Sequence, residues 1–350
     1  HKFDASSANL SSSSSRIEGG LDATDFSALD DSEGFTIMLG NSTSNNTTYE
    51  CNFGQKPFKY VPPNNYLPIN SASTRPDTVF ARPDQFVGAV IYTGNQTART
   101  LSVNFAPDFI WTKRRDDSNS HQLYDSVRGD DKILQSDGTG TEDSVSNSAS
   151  FAETKGINIG SGTRSNENDV SYVAWAWKAG GHAGTFNVDG AGFASASDAG
   201  LTAGTIAPLG ASVGTKQGFS IVKFHGNQTG GATVPHGLSQ TPDFTIVKQL
   251  TGTDESWRVK HKDIQSNKTL YLNQAREELS NTEYISGADS TTITLSTGLA
   301  GINADADYLM LAWHSVPGLQ KFGKYEGNQT ANGTYVELGF RPALIWVKNI

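Results

Sequence analysis

The run Val87-Gly88-Ala89-Val90-Ile91-Tyr92 leads into Gly94-Asn95-Gln96-Thr97, and that tetrapeptide decides how the rest of the chain is read. It recurs as Gly226-Asn227-Gln228-Thr229 and as Gly327-Asn328-Gln329-Thr330, each time two residues after an aromatic: Tyr92, Phe224 and Tyr325. A second match follows each copy in the same order. Pro107-Asp108-Phe109-Ile110-Trp111-Thr112-Lys113 parallels Pro242-Asp243-Phe244-Thr245-Ile246-Val247-Lys248 and Pro342-Ala343-Leu344-Ile345-Trp346-Val347-Lys348. Two copies also share an end, Tyr172-Val173-Ala174-Trp175-Ala176-Trp177 and Tyr308-Leu309-Met310-Leu311-Ala312-Trp313. Collinear matches at domain-sized spacing mark an internal duplication whose units can each hold a core, unlike the short units of a solenoid.

Within a unit the pattern is β. Phe219-Ser220-Ile221-Val222-Lys223-Phe224 is a short apolar run bounded by turn residues, and Thr291-Thr292-Ile293-Thr294-Leu295 alternates with period two. The best helical stretch, Asn273-Gln274-Ala275-Arg276-Glu277-Glu278-Leu279, predicts about two turns by pattern alone. The expected fold is all-β: tandem, jelly-roll-like β-sandwich modules in an elongated, fibre-like array. Module one spans 85–180 and module two 217–317. Residues 318–350 start a third, truncated module. The Gly/Ala/Ser-rich stretch 181–216 is an arm or linker. Phe186, Val188, Phe193, Leu201, Ile206 and Leu209 recur along it, which favours an arm laid on a neighbour. The chain opens at His1 and stops inside an apolar run, so it reads as a segment of a longer polypeptide.

Composition excludes several classes. Net charge is −9, which argues against a phosphate-backbone binder. No apolar run approaches the ~18 residues that suggest a spanning helix, so no membrane insertion is expected. Cys51 stands alone, leaving no intrachain disulfide and no cysteine zinc site.

Candidate chemistry is sparse. In a strand, His121 and Asp125 share a face and Ser126 takes the other, so a nucleophile and its base do not converge. Asp130, Asp131 and Asp137, or Asn303, Asp305 and Asp307, could supply oxygens to Ca²⁺, but neither set has the spacing of an EF-hand loop. No catalytic residue, metal ligand or cofactor is assigned, and the chain is expected not to be an enzyme. The recurring Tyr92, Trp111, Trp177, Phe224, Trp313, Tyr325 and Trp346 are expected in module cores, because core positions repeat with the fold. Trp257 lies in a more polar setting and is the candidate surface platform for a sugar ring. Arg114 and Arg115, beside Lys113, are candidate contacts for an anionic ligand. Gly94-Asn95, Gly226-Asn227 and Gly327-Asn328 form Asn-x-Thr sequons. Their fixed place in each module reads as turn chemistry, with glycine at positive φ and asparagine capping locally.

Several segments resemble the repeat domains of large virion proteins of marine phages, chiefly cyanophages. They include Ala106-Pro107-Asp108-Phe109-Ile110-Trp111-Thr112-Lys113, His121-Gln122-Leu123-Tyr124-Asp125-Ser126-Val127-Arg128-Gly129, Phe186-Asn187-Val188-Asp189-Gly190, Val234-Pro235-His236-Gly237-Leu238 and Trp313-His314-Ser315-Val316-Pro317-Gly318. Asn52-Phe53-Gly54-Gln55-Lys56-Pro57-Phe58-Lys59-Tyr60 is similar to the end of a SPRY- or concanavalin-like sandwich, so residues 1–84 are expected to be its C-terminal part plus an extended linker. The resemblance implies a tail fibre or appendage on the virion surface, serving as stalk and host-surface adhesin. It implies a homo-oligomer, a trimer, with other virion proteins and a host glycan or protein as partners and no nucleic acid. Two other roles remain open at this point: a capsid decoration or horn-like appendage without a receptor, and a virion-associated polysaccharide depolymerase.

Overall fold

The computed structural model describes residues 82–349 except 281, 282, 299 and 332. The expectation for residues 1–84 falls almost wholly outside them. The chain divides after Ser73, and every described residue belongs to the second unit.

Among the described residues the elements are almost entirely strands, and the fold is all-β. Module one carries β1 (Val87–Thr93), β2 (Arg99–Leu101), β3 (Phe109–Arg114), β4 (Gln122–Asp125), β5 (Lys132–Ile133), β6 (Asp143–Ser144), β7 (Ala149–Ser150), β8 (Ile157–Ile159), a single helical turn α1 (Thr163–Asn166) and β9 (Ser171–Trp177). The stretch that follows holds β10 (Phe186–Val188), β11 (Ala191–Phe193) and β12 (Pro208–Gly214). Module two carries β13 (Phe219–His225), β14 (Thr233–Pro235), β15 (Phe244–Gln249), β16 (Arg258–His261), β17 (Lys268–Tyr271), β18 (Leu279–Ser280), β19 (Ile285–Ala288), β20 (Thr292–Leu295) and β21 (Asp307–Trp313).

Both modules use one topology. The large sheet runs β1-β9-β3-β4 in the first, and the same order, β13-β21-β15-β16, lies inside the nine-stranded sheet of the second. Small sheets β2-β8-β7 and β14-β20-β19 match in the same way. Register matches too: Tyr92 faces Tyr172 and Phe224 faces Tyr308, while Trp177 pairs with Val87 and Phe109 as Trp313 pairs with Phe219 and Phe244. Alternation explains how the sheets of a module pack. Along β9, Tyr172, Ala174 and Ala176 are buried, and Ser171, Val173, Trp175 and Trp177 on the other face are half-buried. The buried face meets Leu101, Ala149, Ile157 and Ile159 to form the first core, and Met310, Phe224 and Val247 meet Val234, Ile293 and Leu295 in the equivalent core of module two.

A third core lies between the modules. Phe109, Leu123 and Leu134 of the first pack with Phe219, Ile221, Ile246, Leu309, Leu311 and Trp257 of the second. The modules are therefore stacked through their large sheets and not strung end to end like separate sandwiches. The apolar second face of each large sheet dictates this, since water on both sides of that contact would cost about 25 cal/mol per Å² exposed.

Residues 181–216 are an arm on module two and not a free linker. β10 pairs in parallel with β12, β12 pairs with β13, and Phe186, Leu201 and Ile206 enter that module's core. The helix expected at 273–279 does not form: Leu279 and Ser280 pair with β17, and 272–278 is turn and irregular chain. Local propensity there yields to an available sheet edge. Among the described residues of 318–349 there is no strand, only a bridge between Val316 and Gln320.

Candidate functional site

The repeated tetrapeptide turns out to be a joint. Asn166, at the end of α1, is fully buried; its Oδ1 accepts Asn95 N–H at 3.0 Å, and its Nδ2 donates to Thr97 O at 2.9 Å and Gly160 O at 2.8 Å. Asn303 does the same in module two, accepting Asn227 N–H at 2.9 Å and donating to Thr229 O at 2.8 Å. Within the turns, Asn95 and Asn227 cap Thr97 N–H and Thr229 N–H at 3.0 Å. The glycines are not at positive φ. Gln96 and Gln228 are, at 51° and 57°. Glycine is needed because a Cβ at Gly94 or Gly226 would lie 1.9 Å from Glu167 O or 2.0 Å from Ala304 O. The third turn keeps the glutamine geometry, φ 53° at Gln329, but a Cβ at Gly327 would meet open space.

Aromatic stacking closes each joint. Tyr92 stacks on Tyr172 at 5.1 Å and Phe224 on Tyr308 at 5.2 Å, and the two tyrosine hydroxyls accept Glu167 N–H and Ala304 N–H. An aspartate, buried in module one and half-buried in module two, staples the other end. Asp108 accepts Ala179 N–H at 2.7 Å, and Asp243 accepts Ser315 N–H at 2.6 Å. The shared Pro-Asp dipeptide carried that signal in two copies; the third has Ala343.

Trp257 is a correction. It is fully buried, because residues 134–142 of module one lie over β16, and its Nε1 donates to Gln135 O at 3.0 Å. It offers no platform to a sugar. The same latch holds Lys248, whose Nζ donates to Thr139 O at 2.9 Å and Glu255 O at 2.8 Å; burial pushes this ammonium down to about 8. Trp257 stands where module one has His121, whose Nδ1 accepts the Trp111 indole N–H at 2.8 Å.

Tyr92, Phe224 and Trp313 are buried, and Trp111 and Trp177 are half-buried against the shared core. Tyr325 and Trp346 are not core residues. They are 50% and 47% exposed, because no β9- or β21-like strand pairs over them among the described residues of that segment. Trp346 instead touches Trp111 at 5.5 Å and Phe244 at 5.4 Å. The basic triplet does not present one face: Arg114 is turned to Glu167 at 2.6 Å and Asp117 at 3.2 Å, while Arg115 is exposed.

Reactive side chains are bound to one another. Asp125 pairs with Arg128, both buried. Ser126 Oγ and His182 Nδ1 both meet Asp108 Oδ1, at 3.3 and 3.1 Å; the carboxylate stands between them, so the imidazole cannot take the serine proton. That bond to Asp108 raises the His182 pKa. Asp130 and Asp131 accept Phe151 N–H and Ser148 N–H, and Asp305 and Asp307 hold His225 at 2.9 and 2.8 Å. Among the described residues no group of three His, Cys, Asp or Glu could hold a metal ion. A cavity of about 360 Å³ at the module junction is lined by Gln135, Thr141, Glu142, Arg164 and Asp254. Its charges are also spoken for: Glu142 pairs with Lys132, Arg164 with Asp143, and Asp254 accepts Thr141 N–H.

What stays open is a sheet face. In module two three cross-strand rows, Lys248–Leu309–Lys223, Ile246–Leu311–Ile221 and Phe244–Trp313–Phe219, lie under module one, and Leu309, Leu311, Ile246 and Ile221 are all buried. The equivalent rows of module one are Lys113–Val173–Ile91, Trp111–Trp175–Ala89 and Phe109–Trp177–Val87. Here Phe109 is buried, Val173, Trp111 and Trp175 are half-buried, Ala89 is exposed and Ile91 is 66% exposed. Among the described residues, module one thus carries an apolar ledge that nothing covers.

Comparison with known families places this architecture. A family model described as a domain of unknown function, DUF7483, matches residues 82–350. The chain belongs to this family. The DUF7483 stretch covers both modules, the arm and the third turn. No curated protein and no solved structure matches the chain.

Proposed function

We propose that this chain is a structural protein of a phage virion, a tail fibre or appendage in which DUF7483 modules form a stalk that presents a host-binding surface. The observation that carries this reading is the duplication itself: the same joint, staple and aromatic pair are built twice, and the polar side chains are used in holding each module together internally. A rod that transmits position needs such repeated rigid units, and many copies on one particle would supply avidity to a weak surface contact. The resemblance of the motifs to cyanophage virion repeats supports the same place, the outside of the particle. The chain would act as a homotrimer among other virion proteins, with a host glycan or protein as the outer partner. The repeating unit of the stalk is then the stacked pair of modules.

Antibody-gold labelling of particles tests this reading. Label on tail fibres or appendages is expected. Label confined to the capsid would favour a decoration role, and no label on intact particles would overturn the proposal. Release of reducing sugar ends from host polysaccharide by the purified chain would replace adhesion with depolymerase action.

A further inference from the structure

We infer that copies of this chain associate through the ledge on module one, with Ile91, Ala89, Val173 and Trp175 of one copy packed against the same residues of a second copy. The inference rests on the oligomer proposed above and names the face that makes it.

Three observations lead there. The ledge is continuous with an interface already built: Phe109, Trp111 and Trp177, at its inner edge, belong to or pack on the core between the modules. The molecule also shows what covers this kind of face. In module two the equivalent rows are covered by apolar side chains of a sibling module, Phe109 and Leu123 at the inner edge of its large sheet and Leu134 beside it. On the other copies the face of that kind left uncovered among the described residues is the same ledge, so the ledges of the proposed trimer can meet around one axis. Third, the three rows of the ledge carry no carboxylate. Their cations stand at the rim: Lys113 turns its Nζ to Arg114 O at 2.7 Å and Asp117 O at 3.0 Å, and Arg115, bonded to Ser171 one row further on, is exposed. A chain of net charge −9 repels its copies in general, and a face without carboxylates is where that repulsion is least. The exposed Ile345, Trp346 and Val347 extend the apolar area beyond Trp111, which Trp346 touches.

The test is the mass of the full chain at micromolar concentration by size exclusion with light scattering, for wild type, Ile91→Asp and Ala89→Arg. Both substituted positions are exposed, so folding is expected to persist, and circular dichroism checks it. A wild-type mass of two or more chains, weakened at least about tenfold in association by each substitution, is the expected result. Ile91→Cys in a Cys51→Ser background should form an intermolecular disulfide under mild oxidation. An oligomer that neither substitution weakens overturns the ledge as its contact and leaves the oligomer standing. A monomeric wild type overturns both. Gold labelling of the particle is unaffected by either outcome and judges the virion reading separately.

Discussion

The two modules share a topology and differ in what lies on the second face of the large sheet. In module two that face is closed: Ile221, Leu309 and Leu311 are buried beneath module one, and Lys248 is held by two carbonyls. In module one the matching Ala89, Val173 and Trp175 are exposed or half-buried. One duplicated sequence has thus produced a scaffold and a surface. Two differences bear on this directly: Trp257, at the position of His121, donates its indole N–H to Gln135 O of the latch, and Lys223 stands where module one exposes Ile91.

The largest break in this comparison is expected at Trp257. Trp257→Ala empties a fully buried site and should cost about 3–5 kcal/mol in urea unfolding of the full chain. His121→Ala at the matching position, half-buried, should cost roughly 1 kcal/mol, in the ordinary range for a point change. Equal losses would mean that the latch contributes nothing.

The turns give a three-way contrast. Gly94→Ala and Gly226→Ala force a methyl onto a carbonyl oxygen and should each cost about 2–3 kcal/mol. Gly327→Ala, with open space around it, should stay within about 0.5 kcal/mol. The joint itself is expected to be symmetric. Asn166→Ala and Asn303→Ala each remove several part-buried hydrogen bonds made by a buried side chain, and both should lower stability by about 2 kcal/mol. A large loss in one module only would show that the second joint is a relic.

The smallest effects are in pH. Lys248 is lowered by burial from the usual 10.5 to about 8, so between those values the unfolded chain binds the extra proton. Stability from this group should rise as pH increases through that window, and Lys248→Met should flatten the slope even though it lowers the baseline. His225 works in the opposite direction. Hydrogen bonds to Asp307 and Asp305 raise its pKa, so its contribution is present below the unfolded value of 6.5 and lost as pH climbs through the folded one. The group is half exposed, and the effect should be small and salt-sensitive.

Much of this was legible along the chain. The repeated Tyr92-to-Phe224 and Trp177-to-Trp313 correspondence needs only the order of matches, because duplicated strands keep their register. The arm was legible from its spaced Phe186, Leu201 and Ile206. Trp257 was misread because its neighbours in sequence are polar, while the residues that bury it come from Gln135 and the rest of a distant hairpin. The glycine turns were read by propensity, whereas the requirement comes from carbonyls about seventy residues away in sequence, Glu167 and Ala304. Tyr325 and Trp346 repeat core positions by sequence but lack the paired strand that makes such positions a core.

By itself the sequence determined that the chain is all-β, that its unit is duplicated, and which strands correspond. Those properties are local: alternation sets the faces of a strand, and turn residues set its ends. Only the tertiary structure decided that the two sheets meet face to face, that Trp257 is inside and Ile91 outside, and that the asparagines, aspartates and histidines are partnered. Burial depends on what a distant segment places over a residue, and two copies of one pattern receive different covers.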